Sequence, residues 1–62
     1  MSMPTFYGNK VGIALIIIRQ SDLPDGTRAV DALGEGTISI DAPDSERARS
    51  MLAIRRAKAG LS

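Results

Sequence analysis

Five cations, Arg47, Arg49, Arg55, Arg56 and Lys58, crowd the last third of the chain and are its densest group of chemically suggestive side chains. Arginine pairs bidentately with phosphate, so a dimer presenting this stretch could grip a nucleic-acid backbone. On a helix, however, these five spread around the axis instead of forming one stripe. No aromatic residues are interleaved with them to stack on bases. Cations near a helix C-terminus are also what the helix dipole favours without any ligand.

Little else could do chemistry. The chain has no His and no Cys. That removes imidazole acid–base catalysis, thiol nucleophiles, the usual zinc ligand sets and disulfides. Ser45 and Ser50 have no base paired with them and read as helix-cap and solvated serines. Asp22-Leu23-Pro24-Asp25-Gly26 lacks the alternating oxygen ligands and closing Glu of a calcium loop, and reads as turn chemistry. Gly34-Glu35-Gly36 lacks the Lys-Ser/Thr of a phosphate-binding loop. The expectation is a chain that is not an enzyme and carries no cofactor or metal.

The elements that must position these residues are few. Sixty-two residues make one domain near the lower size limit for a single core, with Phe6 and Tyr7 the only aromatics. Such a chain, without a staple, favours oligomerisation or a larger partner. Net charge is +1, which implies no strong general attraction to nucleic acid. Up to residue 43, three cations (Lys10, Arg19, Arg28) oppose five acids (Asp22, Asp25, Asp31, Glu35, Asp41), for −2. From residue 44, the five cations oppose Asp44 and Glu46, for +3, so the positive field lies on the C-terminal segment.

That segment carries matched helix signals. Asp44 is an N-cap, Pro43 separates it from the preceding strand, and Gly60 suits the left-handed position after a helix. A helix from about Ser45 to Ala59 is expected. Ala48, Met51, Leu52 and Ala59 share one face, with Arg55 inside it, so the last turn should lift toward solvent while the Arg55 stem snorkels.

Upstream, the sequence reads as sheet. Met1 to Asn9 contains Pro4 and Gly8, shows no periodicity, and reads as an N-terminal arm over residues 1–9. Lys10 to Arg19 reads as one strand that is apolar on both faces: Val11, Ile13, Leu15 and Ile17 on one, Ala14, Ile16 and Ile18 on the other. Pro24-Asp25-Gly26 marks a turn, Thr27 to Leu33 a weaker strand, and Gly34-Glu35-Gly36 a second turn. Thr37 to Asp41 then alternates, with Ile38 and Ile40 inward. The expected architecture is α+β: a small three-stranded antiparallel meander (β-β-β-α) over residues 10–62, with one C-terminal helix packed on one face.

One helix can cover only one face of a strand apolar on both, so another protein or a second copy should cover the other. The expected function is a small non-enzymatic protein-binding module that docks on a larger protein or self-associates through residues 11–18. Its partner-binding residues are Ala14, Ile16, Ile18, Phe6 and Tyr7. The alternative is a dimeric nucleic-acid-binding regulator that uses Arg47, Arg49, Arg55, Arg56 and Lys58. No stretch is long enough to span a membrane, and Val11 to Ile18 lacks the basic flank and cleavage site of a signal peptide. A cytoplasmic location is expected.

Ala42, Asp44, Glu46 and Ala48, at the junction of strand and helix, resemble the small phage-encoded inhibitors that dock on host machinery. That likeness implies a phage- or mobile-element-type modulator. Thr37–Asp41 followed by Pro43-Asp44 is similar to the opening of ribbon-helix-helix repressors, but no second helix follows. Leu15–Arg19 and Ile38–Pro43 are similar to two strands of the carbon storage regulator family, which binds RNA as a dimer. Here the spacing is shorter, and a helix stands where that family has a strand.

Overall fold

The computed structural model describes residues 2–60. Its elements are β1 (Thr5–Val11), β2 (Ala14–Arg19), a 3-10 turn (Gln20–Asp22), α1 (Ala29–Leu33), β3 (Ile38–Asp41) and α2 (Ser45–Lys58). The class is α+β, a three-stranded antiparallel sheet with one main C-terminal helix packed against it. The strand order is β2-β1-β3. β3 therefore returns to the far side of β1 instead of adding to β2 as in a meander.

Three local expectations are corrected. The arm is the first. Residues 5–9 belong to β1, the central strand, which pairs with both neighbours. Its inward positions include Phe6 and Gly8, and side chains of β2 and α2 close over Gly8. A Cβ added there would stand 2.8 Å from both Ile17 Cδ1 and Leu52 Cδ2.

The continuous strand from Lys10 to Arg19 is the second. It is a hairpin that turns at Gly12-Ile13, with Val11 paired to Ala14. Gly12 has φ +65°, and a glycine of positive φ followed by a residue of ordinary φ is the two-residue pattern that matches strand twist. Third, the weaker strand from Thr27 to Leu33 is mostly α1. Ala29 and Leu33, four residues apart, are half-buried while Val30, Asp31 and Ala32 between them are exposed, a helical and not an alternating pattern.

The remaining signals behave as read. Thr27 donates to Pro24 O at 3.0 Å across the Pro24-Asp25-Gly26 turn, where Gly26 has φ +80°. Asp44 Oδ1 accepts from the Arg47 N–H at 2.8 Å and caps α2. At the other end Gly60 takes φ +80° and donates to Ala57 O at 3.1 Å.

The core lies between α2 and the sheet: Phe6, Ile40, Ala42, Ala48 and Leu52 are fully buried, with Leu15, Ile17, Ile38 and Met51 packed around them. Ala59, just past the end of α2, is exposed, but the last turn stays in touch with the sheet: Arg55 Nη1 donates to Ser39 O at 2.7 Å and Arg56 is half-buried. On the opposite face the connection from β2 to β3 crosses over β1. Asn9 fixes it there: Nδ2 donates to Leu33 O at 2.7 Å, to Glu35 O at 2.9 Å and to Gly34 O at 3.4 Å. Asn9 Oδ1 accepts from the Lys10 N–H at 2.8 Å. Asn9 is 4% exposed and the only buried polar residue among those described.

Candidate binding surface

The sheet places the expected partner-binding residues in three different environments. Phe6 faces α2, is fully buried, and has the Arg19 guanidinium 5.2 Å from its ring centroid. It is a core residue and offers nothing to a partner. Tyr7, its neighbour in sequence, points to the other face, pairs across to Ile18, is half-buried, and lines a depression together with Gln20 and residues 23–29. Ile18 is half-buried as well. The crossover thus supplies part of the second-face cover that the sequence assigns to a partner.

Ala14 and Ile16 remain exposed. They continue into the hairpin turn, where Ile13 is 99% exposed and Val11 51%, while Ile16 is 38% exposed. Four apolar side chains within six consecutive residues form one uncovered end of the molecule. Scattered single hydrophobics are ordinary on a surface, whereas these four are neighbours on one hairpin. Val11 and Ile13 were not among the expected second-face residues, because a continuous strand assigns them to the helix side. The signal that could have found them is Gly12, which breaks the run.

The free edges of the sheet complete the site. Alternation counted from the two-residue turn makes Val11 and Ala14 a hydrogen-bonded pair. Leu15, Ile17 and Arg19 therefore direct their N–H and C=O groups away from β1. The same count leaves Ser39 and Asp41 facing outward on β3. One arginine of α2 reaches each edge: Arg49 Nη1 donates to Leu15 O at 2.7 Å, and Arg55 Nη1 donates to Ser39 O at 2.7 Å. Long cationic side chains at an edge hinder the addition of further strands.

This use of Arg49 and Arg55 divides the cationic group. They are drawn to opposite edges of the sheet, Arg47 stands in the first turn of α2, Arg56 is half-buried, and Lys58 lies in the last turn. The structure does not gather the five into one surface. Among the described residues no three acidic side chains approach closely enough to hold a metal ion. The depression beside Tyr7 is open and lined mainly by the turn at Leu23 to Arg28. No helix among the described residues is long and apolar enough to cross a membrane.

No protein-family model, no curated protein and no solved structure matches this chain.

Proposed function

We propose that this chain is a small non-enzymatic protein-binding module whose contact surface is the exposed end of the β1–β2 hairpin. The observation that carries the reading is Ile13, almost wholly in solvent between Val11, Ala14 and Ile16. Fully burying an exposed Ile side chain contributes about 1.5–3 kcal/mol, a gain open to Ile13, while Val11 at 51% and Ile16 at 38% exposure have less left to bury. A hairpin paired in register from the Phe6–Arg19 pair to the Val11–Ala14 pair also holds them in place before docking, which lowers the ordering cost.

The experiment compares immobilised wild-type chain with Ile13→Asp, Ile16→Glu and the double variant Arg55→Ala/Arg56→Ala. Circular dichroism accompanies each, since Arg55 also contacts β3. Proteins retained from a cell extract by the wild type should be lost on the two hairpin variants and kept on the arginine variant. Equal retention by all three would overturn the reading. Salt-sensitive retention on oligonucleotides that only the arginine variant loses would shift the function to nucleic-acid binding.

A further inference from the structure

The free edge of β2 has a property that the hairpin tip does not share. Its outward-facing residues, Leu15, Ile17 and Arg19, are placed symmetrically about Ile17. We infer that this edge pairs with the same edge of a second copy, antiparallel, on a two-fold axis through Ile17. The inference rests on the protein-binding reading and names the occupant: another copy of this chain.

Three features favour a second copy over an unrelated strand. First, rotation about Ile17 sets Leu15 opposite Arg19 of the other copy and Ile17 opposite Ile17. Every outward N–H and C=O then meets a complement, for about six new backbone hydrogen bonds. Second, the faces agree. Leu15 and Ile17 remain on the α2 side in both copies, where they border the core, and Ile16 and Ile18 meet each other on the second face. Third, charges stay apart. Ala14 to Ile18 carries none, and each Arg19 lies beside the partner's Leu15 at opposite ends of the interface.

The arrangement also stops at two copies. An isologous contact consumes the edge that makes it. The remaining edge, β3, is only four residues long, carries Asp41 and is covered by Arg55. The result is a six-stranded sheet with both α2 helices on one side. Arg49 is the built-in competitor, because its guanidinium holds the Leu15 carbonyl that the second copy would use.

Sedimentation velocity over a concentration series tests this with the whole chain. The expected result is a concentration-dependent two-chain species. Arg49→Ala should tighten the association roughly tenfold, the effect of deleting one competing charge-assisted hydrogen bond. Ile16→Lys, at an exposed position, should abolish it with the circular dichroism spectrum unchanged. The native chain has no Cys, so introduced thiols report the register. Ile16→Cys mixed with Ile18→Cys should oxidise to a crosslinked dimer, since these residues form a close non-hydrogen-bonded pair, and neither variant should do so alone. A two-chain species seen only for Arg49→Ala, with that crosslinking pattern, also supports the pairing. A single-chain species at every concentration for both wild type and Arg49→Ala overturns it. A dimer lacking the mixed crosslink overturns it as well. If homodimers fail while extract proteins still bind in an Ile13- and Ile16-dependent way, the protein-binding reading stands and only the second-copy assignment falls.

Discussion

The two faces of β1 are held by different physics. Toward α2, Phe6 and Gly8 meet Leu52 and Ala48 in an apolar layer closed to solvent. Away from α2, Asn9 binds the crossover through backbone carbonyls of residues 33–35, beside half-buried Tyr7 and Ile18. Dispersion and water exclusion act across the whole first layer, while the second depends on one polar hook. One layer should therefore behave as the folding core and the other as a strap fastened to it. The sharpest way to break the comparison is Leu52→Ala. Emptying a fully buried Leu site costs about 2–5 kcal/mol, a large share of the stability available to so small a domain. Urea titration should show a midpoint far below the wild type, or no folded baseline at all.

The strap is tested by Asn9→Ala. Its loss leaves the carbonyls of Leu33 and Glu35 without their Asn9 donor, while Gly34 O keeps the Thr37 hydroxyl at 2.6 Å, and the expected cost is about 1–3 kcal/mol. What separates it from the core variant is where the damage falls. Amide hydrogen exchange should quicken at residues 30–36 far more than at residues 48–55 of α2. Uniform loss of protection across both segments would mean that the two layers fold as one unit and that the comparison is false.

The contrast also explains which parts of the fold could be read from residue types. α2 was legible because its signals are local: Asp44 and Gly60 act on backbone groups two to four positions away. β3 was legible because Ile38 and Ile40 alternate with Thr37, Ser39 and Asp41. β1 was hidden by its own packing. At Gly8 the ends of the Ile17 and Leu52 side chains fill the place an inward Cβ would take, and the missing side chain erased the period-two signal. The hairpin was hidden by the opposite effect. Ile13 places an apolar residue in a turn, so two strands merged into one run. The crossover could not be foreseen either, because what fixes it is a side chain some two dozen residues upstream. That long-range bond turned the second face from an open surface into a partly covered one, and moved the candidate contact from Ile18 and Tyr7 to the hairpin tip.

A smaller effect is expected from Asp44→Ala, which removes the side-chain acceptor at the start of α2 and leaves the core side chains in place. N-cap truncations cost about 1 kcal/mol. Thermal unfolding should shift down by several degrees, the scale set by the unfolding entropy of a domain this size. Asp44→Asn should recover most of the loss, because the amide oxygen accepts from the same N–H. Failure of that rescue would assign the stabilisation to charge at the helix N-terminus and not to the hydrogen bond.

The smallest effect belongs to the strap's own surface. Arg28 pairs with Asp31 at 3.0 Å along α1, but both side chains are mostly in solvent, at 77% and 56% exposure. An exposed ion pair three residues apart contributes about 0.2–0.5 kcal/mol, and added salt screens it further. Arg28→Ala should leave the urea midpoint nearly unchanged and should not alter exchange at residues 30–36. If those amides quicken as much as they do in Asn9→Ala, the ion pair holds α1 in its helical turn, and the strap has two fastenings where the geometry shows one. The comparison of faces then becomes a comparison of an apolar layer with a distributed polar network, in which neither Asn9 nor Arg28 alone sets the cover over β1.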